Sequence, residues 1–216
     1  MLTTATLMLA ATWIGYCALH SLLASLRFKA WIAKRWPAQS RSYRLGYNLL
    51  AFGLLIPLLL ATEFAAEDWL WRWQGAWAWF AHGISALVLV GFVWSSRAYD
   101  MQAFLGISPA SSATPAQFGL SPLHRFVRHP WYFLGLLWLW TRDMDSARLV
   151  AALIVTGYLW LGSALEERKL MEEFGQAYKD YCARVPGLLP RPWRYLSRAE
   201  FARLKTQRSP SNASMT

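Results

Sequence analysis

Charged side chains are scarce in this chain of 216 residues. Asp, Glu, Lys and Arg together make up 16% of the sequence, whereas hydrophobic residues make up 56% and Trp alone occurs 14 times. A soluble globular domain typically has about 25% charged residues. The composition therefore disfavours soluble domains, and we expect a single membrane-embedded domain over residues 1–216.

Cysteine is almost absent as well. The chain has two, Cys17 in an apolar segment and Cys182 in a charged one. Two such cysteines form neither a disulfide framework nor a CxxC pair, so we interpret both as free thiols. His124 and His129 are five residues apart, a spacing that does not present two ligands on one helix face, and we expect no metal site.

Acidic residues are much rarer than basic ones, and the net charge is +10. The bases flank apolar runs, as they do in membrane proteins, so we expect a lipid bilayer rather than nucleic acid as the partner. Residues 27–44 contain six bases and no acid, whereas the next loop carries Glu63, Glu67 and Asp68 against Arg72. The positive-inside rule then places the first loop in the cytoplasm and the N-terminus outside, in a multi-pass protein of a bacterial inner membrane.

Apolar runs predict an all-α integral membrane protein with about five transmembrane helices. The runs lie at residues 2–26, 45–61, 75–94, 131–140 and 149–165. A crossing helix needs about 20 apolar residues. The run at 131–140 is therefore either extended by the segment before it or part of a shallow hairpin with the next run.

The remaining segments complete the predicted organisation. We divide the domain into three N-terminal helices at 1–95, a hairpin with a C-terminal cap at 121–192, and a basic tail at 193–216 whose last residues we expect to be disordered. The loop at 106–122 is either a cover over a site or a plain connector. Beyond Glu166 the pattern predicts a charged cytoplasmic helical segment, which Gly175 is expected to break.

Polar motifs stand at both ends of the predicted hairpin. The segment Arg128-His129-Pro130-Trp131-Tyr132-Phe133-Leu134-Gly135 precedes it, and the pair Glu166-Glu167 follows it. An FGxxYxxY pattern at 174–181 and a VPxLxP pattern at 185–190 come next. No single piece is specific, but the ordered set is.

This ordered set resembles the isoprenylcysteine carboxyl methyltransferase superfamily. The match covers about residues 121–190. Segments 19–25, 43–48 and 141–145 also look like the branch of that superfamily that contains methanethiol S-methyltransferases and denitrification-associated membrane proteins. The resemblance implies a methyltransferase that uses S-adenosylmethionine at the cytoplasmic membrane surface.

The resemblance also implies roles for individual residues. Arg128 and Glu167 would be catalytic. The implied cofactor-binding residues are His129, Tyr132, Leu134, Gly135, Glu166, Glu167, Tyr178, Leu188 and Pro190. The residue types suit this role, because carboxylates bind ribose hydroxyls and ammonium groups and Arg binds carboxylates. Methyl transfer from a sulfonium needs chiefly alignment, and neither a metal nor a covalent nucleophile.

One departure from the pattern bears on the methyl acceptor. Carboxyl methyltransferases of the superfamily are expected to have an Arg about one turn before the paired glutamates, and here that turn is residues 160–164, without any Arg. We therefore expect a small or lipophilic thiol as the acceptor. The alternative is isoprenylcysteine-type carboxyl O-methylation.

Two further alternatives remain at this stage. Arg128 and His129 could be ordinary interfacial cations at a helix start. The paired glutamates could be solvated residues at the start of another helix, where the helix dipole favours negative charge. An alternative from another class is a non-catalytic or haem-binding membrane protein that uses His20 and His82. A visible spectrum of the purified protein distinguishes the haem protein from the methyltransferase.

Overall fold

Helices make up about three quarters of the chain that the structure, a computed structural model, describes. Residues 3–65, 69–108 and 120–206 are described, so the predicted loop at 106–122 and the end of the tail fall largely outside these ranges. The elements in order are α1 Thr4–Ala24, α2 Leu26–Arg35, α3 Tyr43–Phe64, β1 Trp69–Trp71, α4 Ala76–Ser96, α5 Met101–Leu105, α6 Pro130–Trp140, β2 Met144–Asp145, α7 Ser146–Phe174, α8 Gln176–Arg184 and α9 Arg198–Thr206. The prediction of an all-α fold is confirmed.

Four helices are long and apolar enough to cross a membrane in the part of the chain that is described: α1, α3, α4 and α7. The 21 residues of α1 or α4 rise about 32 Å, which matches a hydrocarbon core of about 30 Å. The fifth predicted helix is α6, whose 11 residues rise only about 16 Å. The expectation of about five spans is therefore close, and the chain is a multi-pass membrane protein.

The contacts divide the chain into two compact units. Unit 1 comprises Met1–Ala78, Met101–Ala110 and Arg142–Tyr158, and unit 2 comprises Trp79–Asp100, Ser111–Thr141 and Leu159–Thr216. Helix α7 therefore belongs to unit 1 up to Tyr158 and to unit 2 from Leu159.

The core of unit 1 forms where α1 and α3 pack together with the start of α7. Its buried residues are Leu9, Trp13, Leu58, Ala147 and Ala151. The Trp13 indole N–H donates to the Thr62 hydroxyl at 3.0 Å, which satisfies a polar group in this apolar surrounding.

A polar clamp in unit 1 ties the turn before α7 to the segment after α3. Strands β1 and β2 pair antiparallel, and the Glu63 carboxylate accepts from Arg142 at 3.0 Å and from Arg148 at 2.7 Å. Arg148 also pairs with the fully buried Asp145, and its guanidinium lies 4.8 Å from the ring centre of Trp69. Residues 69–71 and 142–148 are thereby held on one face of unit 1.

The core of unit 2 is built by the FGxxYxxY pattern. Phe174, Tyr178 and Tyr181 are buried together with Val185. Helix α7 ends at Phe174 and α8 begins at Gln176, so the predicted break at Gly175 is confirmed. Gly175 has φ +56°, a conformation that glycine adopts without steric cost.

Part of the predicted basic tail also belongs to this core. Helix α9 buries Phe201 and Leu204 against the same cluster as Tyr181. The tail is thus helical from Arg198 to Thr206 and packs through this helix.

Candidate active site

The site begins where the chain enters α6. Pro130 occupies the first helical turn, where its missing N–H has no helical partner to lose. The two preceding backbone N–H groups bond to the segment after α8, from Arg128 to the Pro186 carbonyl at 2.8 Å and from His129 to the Gly187 carbonyl at 3.2 Å. The first and last of the predicted motifs therefore lie side by side.

The Arg128 guanidinium connects three parts of unit 2. Its Nε and Nη2 lie 2.9 and 2.8 Å from Oε1 of Glu167, on α7. Its Nη1 donates to the Cys182 carbonyl at 3.2 Å and to the Val185 carbonyl. Only 13% of the Arg128 side chain is exposed, so its main contacts are with the protein.

His129 lies between the two glutamates. Its Nε2 is 2.9 Å from Oε1 of Glu167, and its Nδ1 is 3.5 Å from Oε2 of Glu166. Burial disfavours the charged imidazole, but the hydrogen bonds and charges of both glutamates outweigh burial and raise the pKa of His129. The raised pKa favours an imidazolium whose two nitrogens both donate.

The two glutamates have different surroundings. A single oxygen of Glu167 accepts from Arg128 and His129, and 18% of its side chain is exposed. Half of the Glu166 side chain is exposed, and its Oε2 accepts from the Tyr132 hydroxyl at 3.4 Å. Glu166 therefore presents a carboxylate towards solvent, whereas Glu167 faces the protein.

Tyr132 lies in the first turn of α6 and supports this arrangement. Its ring stacks on the His129 imidazole with centres 5.4 Å apart and planes 10° apart. The stack fixes the orientation of the imidazole between the glutamates.

The structure gives the other predicted site residues varied positions. Leu134 is buried, and its side chain packs against Gly91 of α4. Gly135 lies in open space, since an added Cβ would meet nothing within 4 Å. Tyr178 is buried in the core of unit 2, where burial raises the pKa of its hydroxyl, while Leu188 is half-buried and Pro190 is exposed.

Several supporting residues were missed by the sequence analysis. Gly187 is one, because a Cβ there would lie 3.2 Å from Arg128 Nη2 and 3.5 Å from Glu167 Oε1. Ser121 and His124 form a capping box that shapes the approach to Arg128, and the His124 carbonyl accepts from the Tyr181 hydroxyl at 2.8 Å. The glycine in VPGLLP was a visible signal, whereas the other contacts depend on folding.

The two histidines of the haem alternative have different surroundings. His20 is in unit 1, where its Nε2 lies 2.8 Å from the Tyr47 hydroxyl and its ring contacts the rings of Tyr16 and Tyr158. His82 is an exposed residue of α4 in unit 2. A hydrogen-bonded packing role accounts for His20.

Comparison with known proteins gives relatives of one kind. The chain is 33% identical to methanethiol S-methyltransferase 2 of Bradyrhizobium diazoefficiens over 187 residues, which is 80% of this chain and 68% of that protein. It is 30% identical to the methanethiol S-methyltransferase of Pseudomonas deceptionensis over 187 residues, or 79% of this chain and 67% of that protein. The chain is 28% identical to the methanethiol S-methyltransferase of Mycobacterium tuberculosis over 192 residues, which is 82% of this chain and 74% of that protein.

The chain thus spans about two thirds of the length of these relatives. No family model matches the chain, and no solved structure matches it. The resemblance inferred from the motifs is confirmed by relatives that cover most of the chain, and with it the prediction of a methyltransferase. The chain belongs to the methanethiol S-methyltransferase family, in the isoprenylcysteine methyltransferase-like branch.

Proposed function

We propose that the protein transfers a methyl group from S-adenosylmethionine to a small thiol, which it converts into a thioether. The observation that carries this proposal is the cluster of Arg128, His129, Glu166 and Glu167 in a chain of the methanethiol S-methyltransferase family. The acceptor named in the relatives is methanethiol, and dimethyl sulfide would be the product.

The donor set near Glu166 suits the amino-acid end or the ribose of this cofactor. Glu166 offers a half-exposed carboxylate, which binds an ammonium group or ribose hydroxyls, and the Tyr132 hydroxyl lies beside it. Gly135 leaves open space one turn further along α6. When bound, the cofactor supplies an electrophilic methyl group on a sulfonium, which is already a good leaving group.

Arg128 and Glu167 act in this proposal as positioning residues. Each is engaged by protein groups, and together they hold the backbone at Val185 and Gly187 against the start of α6. Leu188 and Pro190, on the same segment, would then cover the cofactor. We therefore assign the cofactor contact to Glu166 and the support of the segment to Glu167.

His129 is not suited to accept the proton of the thiol. Both of its nitrogens face carboxylates, so neither presents a free lone pair to a thiol, and the two glutamates raise its pKa. The thiol proton would then go to solvent, and the bound cofactor would supply its methyl group to the thiolate and leave as the thioether. His129 orients the two carboxylates.

The polar clamp supports a topology with five crossings. Residues 69–71 and 142–148 share one face of unit 1, although α4 and α6 lie between them in the chain. If α4 crosses the membrane, α6 and its flanking residues must cross back. With the basic first loop in the cytoplasm, the N-terminus is outside and the C-terminus is cytoplasmic. A reporter fused after Thr216 that proves extracytoplasmic would contradict this topology.

Isotope-labelled S-adenosylmethionine tests the reaction. The purified protein is incubated with methanethiol and, separately, with a prenylcysteine. Dimethyl sulfide carries volatile label without further treatment, whereas a methyl ester releases labelled methanol only after base. We expect label in dimethyl sulfide, loss of most of it in Glu166→Gln, and normal turnover in the control Glu172→Gln, an exposed position on the same helix. Label that appears only after base would favour carboxyl methylation instead.

A further inference from the structure

Unit 1 contains two neighbouring clefts that the proposed reaction does not use. The larger, of about 710 Å³, lies among α1, α2, α3 and α5, and the smaller, of about 480 Å³, lies beside it. Ile32, Tyr43 and Tyr47 line both clefts and form a wall between them. Each volume is in the range of about 300–1,000 Å³ that is typical of ligand sites.

The larger cleft combines an apolar interior with cationic groups. Phe52, Leu55 and Phe104 supply apolar surface, while Lys29 and Arg44 supply positive charge. None of the described residues that line it is acidic. The Arg44 guanidinium donates to the Ala103 carbonyl at 2.8 Å, which fixes its position. The cleft therefore complements a molecule that is anionic at one end and apolar along its length.

Helix α2 gives this cleft a membrane setting. It follows α1 directly and carries Arg27, Lys29, Lys34 and Arg35 among apolar residues. Its Trp31 is 51% exposed, as expected of a side chain in the headgroup region. Such a basic amphipathic helix typically lies in the interface of an anionic leaflet.

We propose that these clefts bind one anionic phospholipid, with the phosphate at Lys29 and Arg44 and an acyl chain in the larger cleft. The smaller cleft, lined by Leu23, Trp36 and Leu50, has room for the second chain. Basic pockets between transmembrane helices on the cytoplasmic side are a general mode of anionic headgroup binding.

The shape of the clefts favours a lipid over a small acceptor or a free anion. A small thiol would fill a minor part of the larger cleft and has no use for two cations. Free phosphate would leave the apolar walls exposed to water, which is unfavourable. A two-chain anionic amphiphile satisfies both the charges and the apolar walls.

Native mass spectrometry of the purified full-length protein tests the proposal. The protein is prepared in neutral detergent with equal amounts of phosphatidylglycerol and phosphatidylcholine, and free inorganic phosphate is tested in a separate arm. We expect selective retention of one phosphatidylglycerol. Lys29→Gln should lower its retention about tenfold, as expected for the loss of one charged hydrogen bond. Lys34→Gln, which removes the same charge from the same helix away from the cleft, should not.

A second pair of variants tests the cleft itself. Ala33 lines the larger cleft and Ala30 does not, and both are exposed on α2. Ala33→Phe should therefore displace the lipid, and Ala30→Phe should leave it bound. Equal retention of both lipids, retention unchanged in Ala33→Phe, or displacement of the lipid by inorganic phosphate would each overturn the proposal.

Discussion

The different surroundings of the paired glutamates make a sharp prediction. Glu166→Gln removes a half-exposed carboxylate, so we expect weaker cofactor binding with little loss of stability. The loss of one charged hydrogen bond corresponds to about 1.5–3 kcal/mol, or roughly a tenfold to hundredfold rise in Kd. Isothermal titration with S-adenosylhomocysteine measures it.

Glu167→Gln should instead lower stability. The substitution leaves Arg128, which is 13% exposed, without its counter-charge and weakens the contact to His129 at 2.9 Å. Removing one partner of a fully buried pair costs about 3–5 kcal/mol, and partial exposure reduces this to about 2–3 kcal/mol. The midpoint of thermal unfolding should then fall by about 4 °C or more.

Glu172→Gln serves as the control for both variants, because Glu172 is exposed on the same helix. This variant should bind S-adenosylhomocysteine with the affinity of the parent protein and unfold at the same midpoint. Normal binding in Glu166→Gln, together with lost binding and an unchanged midpoint in Glu167→Gln, would reverse the two roles and refute the reasoning.

Three further predictions test other contacts. Gly187→Ala should lower the midpoint of thermal unfolding, because its Cβ would approach the Arg128 guanidinium to 3.2 Å, whereas Gly135→Ala meets nothing and should not. The pKa of His129 is raised in the folded protein, so the protonated imidazole contributes stability that is fully present below its ordinary pKa of 6.5. That stability is lost as pH rises through the higher pKa of the folded state. His129→Gln should therefore remove this pH dependence of the unfolding midpoint. Glu63→Gln weakens two ion pairs and should lower the free energy of unfolding, measured by chemical denaturation, by about 1 kcal/mol. Removal of the more exposed ion pair between Arg72 and Asp143 should lower it less.

The ordered motifs were enough to predict which segments meet in unit 2, but not which glutamate faces which group. Successive residues of an α-helix point about 100° apart, so only one of the two can face Arg128 directly. Phe174, the last residue of α7, is buried in the core of unit 2, and such packing fixes which side of the helix faces the protein. The direction in which each glutamate points therefore depends on tertiary contacts, and the sequence of the pair alone does not predict it.

Helix α2 and the strand pair were missed for different reasons. We predicted a loop where α2 lies because basic residues are frequent from residue 27 to 35. Phe28, Trp31 and Ile32 nevertheless recur at helical spacing among them. That signal was present in the sequence. The pairing of β1 with β2 involves residues more than seventy positions apart, and such a short pair leaves no local pattern.

The short length of α6 follows from the contacts of the site. The sequence left open whether the segment before Pro130 extends this helix, and the structure shows that it does not. The N–H groups of Arg128 and His129 donate to the carbonyls of Pro186 and Gly187, which an extended helix would prevent by taking those donors into its own ladder. Proline is favoured at the first helical position, which suits a helix that begins at residue 130. A longer, more regular membrane helix would therefore release the segment at 185–190 from the paired glutamates, and α6 is short because the residues before it bond to that segment instead of to their own helix.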